Sequence, residues 1–295
     1  MNKILVFLIS FLCASSLDAQ LLTNSHGEVY TQDPFFSRSF IKSKQLKCIA
    51  GRYSYKKPGK PFERTDYWQV WNFDTLGRLI SSYETKKDDG SYDTVRHKYF
   101  YNSSGLLINH RYGDQFSWNY ESTMYDSLNR KSLIEVFRQA YDNDGILHTS
   151  LLKRESFEYV DNETKIVLNS VGIPYKKETI TYDEEGNVTK REERFITTNQ
   201  GYIREYEYQS KGILSLQTFK ATGDVVPKEK ETYLYDENGN IKEKKIYSNE
   251  VFIKEFQFIF NEESQLLTAV LEQEAGSNFI SILRVVEYEY YVNGI

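Results

Sequence analysis

One short motif recurs along this chain at steps of about 25 residues, and it constrains the fold more than any single residue does. An aromatic residue is usually followed by Asp or Asn, and a glycine usually stands four positions after the aromatic residue, as in "YDENGN" from Tyr235 to Asn240. We call the aromatic positions anchors. They are Phe73, Tyr101, Tyr125, Tyr159, Tyr182, Tyr208, Tyr235 and Phe260.

The motif has the chemistry of a tight β-hairpin turn. An Asp or Asn side chain can accept a backbone N–H two residues on, and a glycine then supplies the left-handed backbone that ends the turn. Asn129 stands at the glycine position of one copy, and Asn tolerates positive φ better than most residues. Six turn residues are therefore predicted: Gly77, Gly105, Asn129, Gly186, Gly212 and Gly239. Ser264 and Glu163 fit this position poorly, so we expect altered turns in their copies.

The segments between the turns read as strands. Large side chains stand two residues before most anchors, at Trp71, Tyr99, Tyr206, Tyr233 and Phe258, and polar residues lie between them. This period of two predicts a sheet with one aromatic face, which we expect to be buried. A second, looser turn falls about midway between copies. The predicted fold is all-β, an extended antiparallel meander of about 16–18 strands built as a twisted or spiralling open sheet.

The first residues predict a targeting segment. Residues 1–19 place Lys3, an apolar run and small residues in the order of a secretory signal peptide, which predicts an exported protein of the periplasm, cell surface or extracellular space. A lipid anchor at Cys13 is disfavoured because Leu12 precedes it. Residues 20–45 are expected to form an N-terminal arm, with a short helix or turn within 33–44, and residues 46–295 one repeat domain. No later apolar run is long enough for a membrane-spanning helix.

The copies "YDEEGNV", "YDENGNI" and "YDSLNRK" resemble YD repeats, the hairpin units of Rhs-type and teneurin-type proteins. The chain is far shorter than large Rhs proteins and is more similar to the short exported YD-type proteins of Bacteroidetes-like bacteria. The resemblance implies a continuous spiralling sheet and suggests a partner or carrier of a secreted toxin. Three tripeptides also look like the O-glycosylation acceptor pattern of those bacteria, with Thr75, Thr94 and Ser127 as acceptors.

Little in the sequence indicates chemistry. The formal net charge is −5, which argues against a nucleic-acid partner. "YDNDG", residues 141–145, lacks the further oxygen ligands of a calcium loop, and no Cys or His spacing indicates zinc. Without the signal peptide the chain keeps one cysteine, Cys48, which is expected to be a buried apolar residue. No catalytic, metal-binding or cofactor-binding residues are predicted.

The expected function is therefore an exported, non-enzymatic repeat protein that serves as a scaffold or binding surface for a protein or a glycan. The alternative is a secreted hydrolase on a β scaffold, which three or more His, Asp or Glu residues in one concave pocket would favour. An outer-membrane barrel is disfavoured because many strands carry charged residues beside the aromatic ones.

Overall fold

The computed structural model describes residues 22, 36–88, 91–114, 116–142, 144–209 and 212–292, with the backbone alone for 86–88 and 91–93. The predicted signal peptide, residues 1–19, and Cys13 lie outside these ranges. The described chain contains one short helix, α1 (Arg38–Ser43), followed by 18 strands. The strands are β1 Leu46–Lys56, β2 Phe62–Phe73, β3 Leu79–Asp88, β4 Ser91–Tyr101, β5 Leu107–Gly113, β6 Ser117–Tyr125, β7 Lys131–Tyr141, β8 Leu147–Tyr159, β9 Thr164–Leu168, β10 Pro174–Tyr182, β11 Val188–Phe195, β12 Gly201–Gln209, β13 Ile213–Ala221, β14 Glu229–Tyr235, β15 Ile241–Ser248, β16 Val251–Phe260, β17 Leu267–Glu274 and β18 Ile280–Tyr290.

Each strand pairs antiparallel with the next one along the chain. The predicted all-β antiparallel meander is thus confirmed, and the 18 strands lie at the upper end of the predicted range. In a meander alternate turns lie at the same end of the sheet, so all the turns that follow anchors share one end. We call it the anchor end.

The sheet is closed. Strand β1 pairs antiparallel with β18 from Leu46↔Tyr290 to Lys56↔Ile280, and β1 also pairs with β2. The first and last strands therefore meet in a seam, and the 18 strands form a barrel. The prediction of a twisted or spiralling open sheet is wrong, and so is the assignment to Rhs- or teneurin-like YD-repeat proteins that implied it. Closure satisfies the backbone groups that an open sheet would leave unpaired at its two outer strands.

The anchor turns at Asp74, Asp126 and Asp236 share one hydrogen-bonding scheme. In the copy at Tyr235, Asp236 Oδ1 accepts the N–H groups of Asn238 and Asn240 at 2.9 and 2.8 Å, and Gly239 has φ 80°. The other five predicted turn residues also have positive φ, between 62° and 85°. In the last copy the left-handed residue is Gln265 (φ 60°), one position after Ser264. The turn chemistry of Asp and Gly thus fixes where each strand ends.

Neighbouring copies are joined by tyrosine hydroxyls. An anchor tyrosine donates to the carbonyl oxygen at the start of the return strand of the preceding copy, as Tyr235 does to Leu214 at 2.8 Å. The same bond joins Tyr101 to Leu79, Tyr125 to Leu107, Tyr159 to Lys131 and Tyr208 to Val188. Tyr288 on β18, which is not an anchor, donates in the same way to Leu267. Each bond holds two consecutive hairpins together at the anchor end.

The main core lies at the anchor end. The aromatic face predicted from the period of two points inward, and Trp71, Tyr99, Tyr206, Tyr233 and Phe258 are all buried there. We call this side of the sheet the inner face. The apolar residues that begin the return strands complete the core: Leu79, Val188, Leu214, Ile241 and Leu267.

Candidate functional site

Helix α1 covers part of the anchor end. Ser37 caps it, since its hydroxyl accepts the N–H of Phe40 at 3.4 Å, and Phe40 and Ile41 are buried in the main core. The helix lies so close to the β2–β3 turn that a Cβ on Gly77 would stand 2.3 Å from the carbonyl oxygen of Arg38. The Arg38 guanidinium continues the contact by donating to the Gly105 carbonyl oxygen at 3.3 Å.

An apolar chamber of about 370 Å³ adjoins this core on the inner face. Phe36 and Leu22, which form an isolated β-bridge, contribute to its wall. The Phe36 ring contacts Trp71 and Phe73 edge to face, with centroids 5.3 and 5.1 Å apart. The remaining apolar wall is formed by Ile246, Phe256, Phe258, Leu267, Val270 and Leu283.

The chamber has one buried cation. The Lys244 side chain is 6 % exposed, and its Nζ lies 3.1 Å from Glu231 Oε1. Burial lowers the pKa of Lys244, and the neighbouring Glu231 carboxylate opposes that shift. The ammonium group also lies 5.8 Å from the centre of the Tyr233 ring. Lys244 is thus paired with Glu231 within the wall, and the pair has no net charge.

A second cavity of about 500 Å³, which we call the vestibule, continues the chamber away from the anchor end. Tyr53, Glu272 and Ser281 line both cavities, so the two spaces are contiguous. The vestibule wall contains four aromatic rings, three carboxylates and two hydroxyl side chains, and no Lys or Arg is among the described residues that line it. The site therefore changes from apolar to aromatic and acidic along its length.

The aromatic rings of the vestibule form a connected wall. Tyr55 stacks on Phe279 with centroids 5.2 Å apart and contacts Tyr67 at 6.5 Å. The Tyr53 hydroxyl lies 3.5 Å from Glu84 Oε1, and burial, followed by the charge of Glu84, raises the pKa of Tyr53. Burial also raises the pKa of Tyr55. Both phenols are therefore neutral hydrogen-bonding groups at ordinary pH.

Three carboxylates line the vestibule. Glu272 and Glu274 stand two positions apart on β17, and both contact Lys254 on β16, Glu274 at 3.9 Å. Glu84 on β3 forms the opposite wall. The Lys254 ammonium group thus bridges the two carboxylates of β17.

Both cavities straddle the seam. The chamber is lined from β1, β2 and β15–β18, and the vestibule from β1–β3, β17, β18 and the segment between β17 and β18. The pairing of β1 with β18 brings these groups together, although they stand at opposite ends of the chain. Sequence reasoning missed the site because an open sheet places β1 and β18 at opposite edges.

A separate aromatic cluster lies on β4 and β5. His97 Nδ1 is 3.0 Å from His110 Nε2, and the two rings stack with Tyr99 and Tyr112. Glu121 on β6 faces His110 across the sheet. Among the described residues, no group of three or more His, Cys, Asp or Glu side chains is arranged to hold a metal ion.

The residues singled out by sequence lie elsewhere. Thr75 and Ser127 are exposed in the β2–β3 and β6–β7 turns, whereas Thr94 lies half-buried on β4, so glycosylation at these residues stays a prediction. Cys48 is buried, and burial, with the charges of Glu289 and Glu287, raises the pKa of its thiol to about 11. A thiol that stays protonated at neutral pH is a poor nucleophile, which argues against a catalytic cysteine.

Comparison with known proteins adds little. No protein-family model and no curated protein match the sequence. Three solved structures are similar in chain path: a porin-like protein from Bacteroides uniformis (9 % identity, 83 % of this chain and 98 % of that chain, TM-score 0.38), a DUF1329 family protein from Desulfovibrio piger (7 %, 88 % and 90 %, 0.28) and a LolA superfamily protein from Nitrosomonas europaea (7 %, 86 % and 92 %, 0.24). At such low identities and TM-scores these likenesses carry no argument about function. Within the described part of the chain, no helix has both the length and the apolar character needed to cross a bilayer.

Proposed function

We propose that this protein is a non-enzymatic carrier or receptor that binds a small amphipathic molecule at the seam of its barrel. The apolar part of the ligand would occupy the chamber, and its polar head would lie in the vestibule. The observation that carries this proposal is that the two cavities adjoin, since Tyr53, Glu272 and Ser281 line both. Concave, mostly apolar spaces with a few placed polar groups are typical of small-molecule sites.

The proposal narrows the binding role that the sequence predicts. A protein or glycan scaffold would use an outer surface, whereas the apolar chamber lies on the inner face of the sheet. An exported location remains part of the proposal, since residues 1–19 have the order of a signal peptide.

Binding of an apolar dye tests the chamber. Protein freed of bound lipid by solvent extraction is titrated with Nile red, whose fluorescence rises in apolar surroundings. We expect saturable binding at one site. Ile246→Trp, which places an indole in the chamber, should weaken the affinity about tenfold or more, because a filled pocket excludes the dye.

Ile253→Trp is the matched control, because Ile253 lies on the neighbouring strand β16 and is 41 % exposed. That variant should bind Nile red like the unaltered protein. Equal affinities for both variants would place the dye outside the chamber and contradict the proposal.

A hydrolase remains the second candidate, because the vestibule brings together the three carboxylates Glu84, Glu272 and Glu274. A glycosidase uses two carboxyl groups at a defined separation, one as acid and one as base or nucleophile. The contacts of Glu272 and Glu274 with one lysine favour an electrostatic role instead. Release of nitrophenol from aryl glycosides that is abolished by Glu272→Gln would reverse this preference.

A further inference from the structure

Strand β8 has a long edge that no described strand covers. β8 comprises 13 residues, whereas its neighbour β9 comprises five, and the two pair only between Ser156 and Tyr159 on β8. On its other side β8 pairs with β7 from Leu147 to Ser156. In an antiparallel sheet, successive residues direct their backbone N–H and C=O groups to opposite sides of the strand. Residues 147–155 therefore present a row of such groups on the β9 side that meets no described strand, and we call this row the open edge.

The space beside the open edge is accessible and partly apolar. A cleft of about 310 Å³ lies along it, with Leu151 and Leu152 on one side and Asn169 and Ser170 of the β9–β10 turn on the other. Leu147 and Leu151 are both 48 % exposed, and Leu152 is 57 % exposed. An exposed strand edge with apolar side chains is a template for pairing with another strand.

The charges along the open edge have opposite signs at its two ends. Asp142 and Asp144 stand just before β8 and are exposed, residues 147–152 contain no Lys, Arg, Asp or Glu, and Lys153 and Arg154 follow. The Arg154 side chain lies 3.6 Å from Glu135 but remains 49 % exposed, and a guanidinium group has donors for a second carboxylate. Two copies paired antiparallel would place the acidic end of each edge beside the basic end of the other, whereas a parallel pair would place like charges together.

The side chains favour one register for such a pair. Thr149 stands midway between Leu147 and Leu151, and it also stands midway between Asp144 and Arg154. If Thr149 of one copy lies opposite Thr149 of the other, each Leu147 faces Leu151 of the other copy, and directly opposed apolar pairs stabilise a sheet. The bulge that follows Leu151 shifts Arg154 by one position, which a long side chain can span. Asp144 of one copy then lies within reach of Arg154 of the other.

We propose that the open edge of β8 binds a second copy of this chain, so that two β8 strands pair antiparallel around Thr149 and form a symmetric dimer. A two-fold axis requires a self-complementary surface, and the opposite charges at the two ends of the edge supply it. The paired segment is short, so the dimer should form reversibly and depend on protein concentration. This inference does not depend on the proposed ligand site. An extended segment of another protein is the competing occupant.

Charge reversal tests the dimer, with sedimentation velocity over a range of protein concentrations as the measurement. Asp144→Lys and Arg154→Glu should each weaken self-association about tenfold or more, because each places like charges together at both ends of the contact. An equimolar mixture of the two variants should dimerise to within about threefold of the unaltered protein, because every contact then joins opposite charges. Recovery on mixing also shows that both variants are folded.

Glu185→Lys is the matched control for the charge reversals. Glu185 is exposed and precedes the left-handed turn glycine Gly186, just as Asp144 precedes Gly145, but it lies in the β10–β11 turn. This variant should self-associate like the unaltered protein.

A cysteine on the two-fold axis tests the register. Opposed residues of an antiparallel pair have Cα atoms about 4.5–5.5 Å apart, which a disulfide can span. Thr149→Cys should form a disulfide-linked dimer on air oxidation, and Cys48, the other cysteine of the chain without its signal peptide, is buried. Thr268→Cys, at an exposed position on β17 between β16 and β18, should remain a monomer on non-reducing electrophoresis.

Three results would overturn the proposal. A monomer at every concentration would reject the second copy in favour of a segment of another protein. Self-association that the charge reversals do not weaken, or that mixing does not restore, would place the contact elsewhere on the surface. Equal cross-linking of Thr149→Cys and Thr268→Cys would reject the pairing around Thr149.

Discussion

At the scale of single residues, five anchor tyrosines and Tyr288 share one structural role. The sequence contains 24 tyrosines, and six of them donate a hydroxyl to a carbonyl oxygen of the preceding copy. A phenylalanine would fill the same inner space but would leave that carbonyl without the bond. Phe73 and Phe260 are the two anchors that carry no hydroxyl group.

Tyr235→Phe tests this role. The substitution removes the bond to the Leu214 carbonyl and keeps the ring, so we expect a loss of about 1 kcal/mol in the free energy of unfolding. The measurement is urea unfolding followed by circular dichroism. Tyr182→Phe is the control, because Tyr182 is an anchor at the same motif position but is 42 % exposed. A loss of equal size in both variants would mean that the hydroxyl bond between copies contributes nothing.

At the scale of elements, helix α1 and the β2–β3 turn depend on each other. Two glycines of the repeat, Gly77 and Gly186, share a positive φ, of 77° and 85°, but differ in what surrounds them. A Cβ on Gly77 would collide with the backbone of Arg38 and Lys42, whereas a Cβ on Gly186 would have no atom within 4 Å. The glycine is thus needed only for the turn at Gly186, whereas at Gly77 it also allows helix α1 to pack against the turn.

Gly77→Ala should therefore cost more than Gly186→Ala. The strain of an alanine at positive φ is about 1 kcal/mol in both variants, and Gly77→Ala must also displace α1, which adds about 1–3 kcal/mol. Thermal unfolding gives the stabilities, and brief trypsin digestion reports whether cleavage after Arg38 and Lys42 becomes faster. Equal stabilities and equal cleavage rates for the two variants would show that α1 does not need the glycine.

At the scale of the whole molecule, the seam between β1 and β18 is the decisive contact. Gly51 on β1 packs so closely that a Cβ there would lie 2.7 Å from Leu283 Cδ1 and 3.2 Å from the Arg284 carbonyl oxygen. The side chain of Leu283 takes the space that a larger residue on β1 would occupy. The closed sheet thus depends on close packing between a residue of the first strand and a residue of the last strand.

A double-mutant cycle tests the closure. Gly51→Ala should destabilise the protein by about 1–3 kcal/mol through overpacking, and adding Leu283→Ala should recover part of that loss. The coupling is measured from the unfolding free energies of the two single variants and the double variant. Strictly additive effects would mean that the two residues do not touch, and the open sheet would have to be reconsidered.

The sequence predicts the repeating hairpin well and its closure not at all. Asp236 and Gly239 act locally, so their motif indicates a turn wherever it occurs. The packing of Gly51 against Leu283 arises between strands that share no motif, and the sequence carries no periodic signal for such a contact. The candidate site could not be predicted from the sequence for the same reason. Glu84 and Glu272 are far apart in sequence, and only the pairing of β1 with β18 brings them to one cavity.

Because the barrel is built from two-stranded copies, the strand number of such a protein can change only in certain steps during evolution. Every copy contributes two strands, so duplication or loss of a copy changes the strand number by two and preserves its parity. An even number is what lets the first and last strands meet antiparallel, as β1 and β18 do. Because the diameter of a closed sheet grows with its strand number, copy number would set the circumference and with it the room at the seam.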